Sequence, residues 1–331
     1  MKKFLGKVFL FSLSLFAINL FEFLMSTKYS NYREPSNYLI FKTSQYPHIN
    51  ELRSFSGDLN IESNKTIQYI TNSKGSRSIV NDKIDLAILG DSFSELNNLD
   101  QSNTIQGNLY RHFNKRAVSI KLNTGLNNFK DYINFLQENY NKPQTLVLLI
   151  VERNINSFSY ENNNKILFKD KTPYSVIFSD FLKFISEGID LPTLRFLKSY
   201  VNGNKITPII KNDLRFLQGE SVETFNSVVL EKFESNIIEL NNQLLELNIN
   251  FIVCIVPNKE TKFRNLFKKA SSKNIRSIDS LLMKNNILNI SLLKVFDKNN
   301  DIYDENDTHL SNNGSKLVSI LISSKIDSLI K

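Results

Sequence analysis

The sequence predicts an α/β protein three layers deep, with a central parallel sheet between two layers of helices. Two observations predict it. Apolar, β-branched runs without polar alternation recur along the chain, which suits strands buried on both faces. Amphipathic helical stretches separate these runs, and strand alternating with helix is the pattern of a parallel sheet covered on both sides. The chain has 331 residues, 41% of them hydrophobic, which is enough for a sizeable core.

From the N-terminus, residues 1–7, MKKFLGK, are a short basic segment, and residues 8–25, VFLFSLSLFAINLFEFLM, follow. This is a signal-peptide or signal-anchor pattern with its positive end in the cytoplasm. An apolar stretch of about 18 residues is near the lower limit for spanning a bilayer. Glu22 sits near the outer end, where a charge costs least. No small-x-small cleavage site follows Met25. That favours an uncleaved single-pass anchor in the inner membrane over a cleaved signal. The rest of the chain is then expected in the periplasm or at the cell exterior. Residues 26–45 are polar and read as a linker, and 46–331 as the folded domain.

The predicted strands are IDLAILG (84–90), AVSIKL (117–122), TLVLLIV (145–151) and NFIVCIVP (250–257). The predicted helices are NNFKDYINFLQENY (127–140), a long one over 223–248, and a last one over 312–331. In the first, Phe129, Ile133, Phe135 and Leu136 fall near one face. Residues 155–222 break the rhythm. They hold helix-like pieces and no convincing central strand, and read as an insertion, either a helical lid over the site or a second helical layer that only packs.

The net charge is +8, but Lys and Arg are scattered among Asn and Ser. This reads as a solvated surface rather than a nucleic-acid footprint, with a weak preference for an anionic surface or polymer as the alternative. The single cysteine, Cys254, cannot form an internal disulfide and reads as a small buried hydrophobe in FIVCIV. Neither a P-loop nor ligand-spaced Cys and His occurs, so no cofactor or metal is expected.

The stretch LAILGDSFSEL (86–96) carries the chemistry. In an open parallel sheet, sites form at the carboxyl ends of strands. Gly90-Asp91-Ser92 stands at such an end, where a sharp turn exposes a serine hydroxyl beside the N–H groups of a helix start. A serine needs a base within hydrogen-bond reach. The histidines are His48, His112 and His309. His309 lies in YDENDTHLSNNGSKLV, with Asp307 two positions before it; in an extended loop these two point the same way. Ser311 reads as the N-cap of the last helix. A Ser92–His309–Asp307 relay is therefore geometrically reasonable. The plainer alternative is a Gly-Asp-Ser turn and a capping loop. Gly-Asp-Ser followed by Leu or Phe arises by chance in a chain this long on the order of one time in a hundred. His48 has no nearby carboxylate, and His112 reads as a surface helix residue.

ILGDSF with the late DTHLSNNG resembles the SGNH (GDSL-type) hydrolase superfamily, and more closely its alginate O-acetyltransferase-like branch. YITNSKGSRS (69–78) is similar to that branch's Asn-x-x-Gly-x-Arg segment. LLIVERNI (148–155) is similar to its strand ending in Glu-Arg, CIVPNKETKF (254–263) to its Pro-x-Lys segment, and YDENDTHLSNNG to its Asp-Thr-His-Trp loop. The resemblance spans about residues 69–325. It implies a flavodoxin-like sheet. Leu310 stands where the branch has Trp. Asp307 precedes His309 by two residues, not by three as in many ordinary esterases of the superfamily. Ser94 replaces the last glycine of a Gly-x-Ser-x-Gly elbow.

In the superfamily, backbone N–H near the nucleophile, a glycine and an asparagine build the oxyanion hole. The resemblance assigns these to Ser92, Gly125 and Asn154, with Arg153 as an alternative donor. The alternatives are a turn glycine at 125 and a strand-end salt bridge at Arg153. The resemblance further implies an O-acetyltransferase acting on an exported or cell-surface polysaccharide, with a membrane-bound O-acyltransferase as acetyl source. A carbohydrate acetyl-esterase with the same triad is the runner-up. A catalytically silent polysaccharide-assembly protein is the third reading.

Overall fold

The structure is a computed structural model. It describes residues 50–55, 65–70, 72, 77, 78, 80, 83–122, 133, 134, 136, 137, 140–156, 209–212, 214–216, 224–267 and 271–330. The basic segment, the apolar stretch 8–25, the linker, His48 and Gly125 lie outside these residues. So does most of the 155–222 segment.

The first described elements are an antiparallel pair, β1 (Asn50–Phe55) and β2 (Lys65–Ile70). β3 (Leu86–Gly90) then leads into the short helix α1 (Ser92–Glu95), and α2 (Ile105–Phe113) into β4 (Ala117–Lys121). β5 (Thr145–Val151) follows. A small antiparallel hairpin comes next, β6 (Ile209–Lys211) and β7 (Leu214–Phe216). The rest is α3 (Ser227–Glu246), β8 (Asn250–Val256), α4 (Lys259–Lys262), α5 (Lys273–Lys284), β9 (Leu288–Ser291), α6 (Leu293–Lys298) and α7 (Asn312–Ile330).

Among the described residues, five strands form one parallel sheet in the order β4-β3-β5-β8-β9. Counted along the chain, that is 2-1-3-4-5, the flavodoxin-like doubly wound order. The chain reverses its direction of winding beside β3, so the crevice at the carboxyl end of β3 is the switch point where such sheets place their sites.

Both faces of the sheet are covered, as the continuous apolar runs predict. Ala87 and Leu89 of β3 face one core, with Leu146, Leu148, Val253 and residues of α3 and α5. Leu86 and Ile88 face the other, with Val147, Leu149, Cys254 and residues of α2 and α7. In α3, Val229, Phe233, Ile237, Leu240 and Leu244 are buried at helical spacing, and the Asn226 side chain caps the helix by accepting from Val229 N–H at 2.9 Å. Each such side chain contributes about 1.5–3 kcal/mol relative to exposure. In α7, Ser315 and Ser319 are buried against α2, and their small size lets the two helices approach; Ser319 Oγ donates to Ile105 O at 3.2 Å. Cys254 is buried, and burial pushes its thiol far above the usual range. His112 is exposed on α2.

Two differences from the sequence reading stand out. The described end of the 155–222 segment carries the β6–β7 hairpin, which the sequence reading did not assign; its helix-like pieces lie outside the described residues. β9, an edge strand of four residues, escaped notice because LNIS is short and half polar.

Candidate active site

The site is built on the end of β3. Gly90 pairs with Leu149 of β5 so closely that a Cβ on it would stand 1.7 Å from Leu149 O. Only glycine fits there. The chain then leaves the sheet, and Asp91 caps α1. Its Oδ1 accepts from Phe93 N–H at 2.9 Å, and its Oδ2 from Val151 N–H at 2.8 Å and from Asn154 Nδ2 at 2.9 Å. The acid of Gly-Asp-Ser thus fastens the Ser92 turn to the end of β5. Ser92 opens α1, and the first N–H groups of a helix have no acceptor within the helix.

Leu96 ends α1 in the left-handed region, φ 50°, which costs a non-glycine residue about 1 kcal/mol. Arg77 holds that turn. It is fully buried, and its Nη1 donates to Glu95 O at 2.8 Å, to Leu96 O at 2.6 Å and to Asn97 Oδ1 at 3.1 Å. Nη2 donates to Leu99 O, and Nε to Gln101 Oε1 at 3.2 Å.

Residues 303–310 form a loop with a pinched neck. Tyr303 and Leu310 bridge, Asp304 N–H donates to His309 O at 2.9 Å, and Ser311 N–H donates to Ile302 O at 2.9 Å. Ser311 caps α7, its Oγ accepting from Gly314 N–H at 3.1 Å. Leu310 is buried in the core shared by α2 and α7, and Asn98 Nδ2 donates to its carbonyl at 2.9 Å. This bond ties the segment after Ser92 to the His309 loop.

Inside this frame His309 Nε2 lies 2.8 Å from Ser92 Oγ, and His309 Nδ1 lies 2.6 Å from Asp307 Oδ1. Asp307 Oδ1 also accepts from His309 N–H at 3.0 Å. The Asp307 side chain is 1% exposed and that of His309 is 14% exposed. Phe93 packs against the imidazole with ring centroids 4.8 Å apart. Ser92, His309 and Asp307 are therefore brought together as a relay.

Arg153 and Asn154 follow β5 in one helical turn beside this relay. The Arg153 guanidinium lies 5.4 Å from the Phe93 ring centroid, and Nη2 donates to Thr308 Oγ1 at 3.1 Å. It touches the neighbours of both Ser92 and His309. Asn154 spends one N–H on Asp91, and an amide nitrogen carries two. Gly125 lies outside the described residues.

Glu152 is buried between β5 and β8. Its Oε2 accepts from Asn258 N–H at 3.1 Å and from Thr261 Oγ1 at 2.6 Å, while Arg153 N–H donates to Asn258 Oδ1 at 3.2 Å. Burial pushes the Glu152 carboxyl up, and these hydrogen bonds, with one from Asn274, hold it back; Glu260 nearby adds a further upward push. The next residue, Lys259, is also buried. Its Nζ donates to the carbonyls of Asp304 at 2.6 Å, Asp307 at 3.1 Å and Glu305 at 3.4 Å. The Glu-Arg and Pro-x-Lys segments therefore meet at one edge of the sheet. Sequence reasoning picked out the segments holding Arg77, Glu152 and Lys259 without seeing what each residue binds; Asn98 gave no signal.

No family model matches the chain, and no curated protein matches it. Solved structures do. A protein from Desulfitobacterium hafniense, described as lipolytic and of the G-D-S-L family, matches at 14% identity, TM-score 0.36, covering 74% of this chain and 99% of its own. An acetylxylan esterase from Geobacillus stearothermophilus matches at 12% identity, TM-score 0.38, over 75% of this chain and 95% of its own. A lipase/acylhydrolase from Enterococcus faecalis matches at 12% identity, TM-score 0.38, over 75% and 96%.

Proposed function

We propose that the chain is an SGNH-type serine enzyme that passes an acetyl group through Ser92, with a sugar hydroxyl of an extracytoplasmic polysaccharide as acceptor. The observation that carries the reading is the Ser92–His309–Asp307 relay, with both contacts below 3 Å, at the switch point of the sheet. An assembled relay speaks against a catalytically silent binding module.

Asp307 accepts from Nδ1–H and so leaves Nε2 facing Ser92 as base. Nε2 takes the Oγ proton as Oγ bonds to the acetyl carbonyl. The oxyanion forms beside Ser92 N–H, with the Asn154 amide as second donor; Arg153, held to Thr308, serves the same corner by orientation. The protonated His309 gives its proton to the departing alcohol, leaving acetyl-Ser92. A sugar hydroxyl then gives its proton to His309 and bonds to the acetyl carbon, the bond from that carbon to Ser92 Oγ breaks, and His309 returns the proton to Oγ. The Asp-Thr-His spacing and the Glu-Arg and Pro-x-Lys segments favour the transferase branch. A membrane-bound O-acyltransferase is the proposed acetyl source, and residues 8–25 the proposed inner-membrane anchor.

The second reading is an acetyl-esterase, in which water replaces the sugar hydroxyl. The solvent contact of His309 favours it. The test is a partition experiment. The full chain in detergent is given an acetyl donor and oligosaccharide acceptors, and acetylated sugar and free acetate are measured in one sample, with Ser92→Ala as control. Sugar ester in excess supports transfer. Acetate alone gives the esterase. Neither product with either protein ends the Ser92 reading.

A further inference from the structure

The relay depends on a loop that has little regular structure of its own. Between its pinched neck residues, Tyr303 and Leu310, three main-chain carbonyls turn inward, those of Asp304, Glu305 and Asp307, toward one buried ammonium. Carbonyl oxygens gathered this way repel one another unless a cation sits among them. A lysine ammonium is a compact charge with three protons, matched to three acceptors; a flat guanidinium is not.

Lys259 stands on the rigid side of this contact. It opens α4 just beyond β8, which pairs with β5 along its whole length. The Phe216 ring of the β6–β7 hairpin, 5.6 Å from Nζ, covers the ammonium, and Phe216 is itself packed edge-on against Phe263 and Phe267. Arg215 of the same hairpin donates to Asn306 Oδ1 at 2.9 Å. The loop is thus gripped from within by Lys259 and from outside by Arg215. One of the three carbonyls belongs to Asp307, whose carboxylate fixes both Nδ1 and the main-chain N–H of His309.

We propose that Lys259 is a positioning residue for acyl transfer: by gathering the carbonyls of Asp304, Glu305 and Asp307 it sets where His309 stands relative to Ser92. This rests on the reading of Ser92 as nucleophile. In this role Lys259 acts through the main-chain carbonyl of Asp307 and the loop that carries His309. Its loss acts on the rate of the step that His309 assists, not on ligand binding.

The experiment uses a small alkyl fluorophosphonate on the full chain. Ser92 Oγ bonds to phosphorus, fluoride leaves, and the serine proton passes to His309. The saturating rate of labelling and the half-saturating concentration are measured for wild type, Lys259→Met and Lys259→Gln, alongside thermal unfolding. Misplacing a reacting group by about 1 Å costs on the order of 10²-fold, so Lys259→Met should lose about that much in rate, and Lys259→Gln less. The half-saturating concentration should stay within about twofold, and the loss should exceed any fall in folded fraction. A folded Lys259→Met that labels at the wild-type rate overturns the proposal. So does a change confined to the half-saturating concentration, or failure of both variants to fold, which makes Lys259 a structural residue. A wild type that does not label, or labels equally as Ser92→Ala, instead removes Ser92 as nucleophile.

Discussion

The side-chain amide of Asn154 donates to Oδ2 of Asp91 at 2.9 Å, and the same oxygen accepts from Val151 N–H at 2.8 Å. The residue before Ser92 therefore aims the residue proposed to receive the oxyanion. Asn154→Ala should lower kcat for an acetyl ester by about 10²-fold with KM little changed, the loss expected for one oxyanion donor. Asp91→Ala should cost at least as much, because it also frees Phe93 N–H and the end of β5. Steady-state ester hydrolysis checks both. A change in KM alone at Asn154 would assign it to substrate binding.

Asp307 Oδ1 receives two N–H groups of His309, one from the ring and one from the main chain. Asp307→Asn should therefore disturb both the tautomer and the loop, and lower kcat by about 10³- to 10⁴-fold. His309→Ala should lose a similar factor. The double variant should fall little further, because relay members act as a unit. Additive losses would mean that the two residues act separately.

Much of this was legible in the sequence, and the reason is physical. Strands buried on both faces must be apolar throughout, so β3, β4, β5 and β8 could be read directly. Gly-Asp-Ser at a strand end and His309 two residues after Asp307 left few other ways to build a relay from three histidines. What could not be read is buried polar contact at long range. Arg77 grips carbonyls 18 to 22 residues away, and Lys259 grips carbonyls 45 to 48 residues away. The carbonyls they grip are main-chain atoms, which every residue carries, so no side-chain pattern announces these contacts. Leu310 is simply buried core, with its carbonyl held by Asn98.

Residues 8–25 should hold the chain in the membrane, given a basic start and an apolar run near spanning length. The full-length protein should sediment with membranes, resist carbonate extraction and enter solution with detergent. Recovery of intact, uncleaved protein in the soluble fraction would refute the anchor.

Gly90→Ala should cripple folding rather than chemistry. The added methyl would stand 1.7 Å from Leu149 O, and the strand cannot shift because β4 pins its other side. Overpacking of this kind costs about 3 kcal/mol. Urea unfolding should show that loss or no folded protein at all, whereas Ser92→Ala should unfold like wild type.

The last prediction concerns Glu152, whose carboxyl is pushed up by burial and held back by Thr261, Asn258 and Asn274. An unfolded glutamate ionises near about pH 4.3. The folded protein keeps its proton to higher pH, so between the two values it binds more protons than the unfolded chain. Stability from this group is then fully present below the unfolded value and is lost as pH rises through the folded one. Glu152→Gln carries no such charge, and its amide oxygen still accepts from Asn258 N–H. Measured by urea unfolding from pH 4 upward, wild type should lose more stability than Glu152→Gln over that window, and the gap should then level off. Parallel curves would mean that the Thr261 and Asn258 bonds fully offset burial and that Glu152 ionises as it does in water.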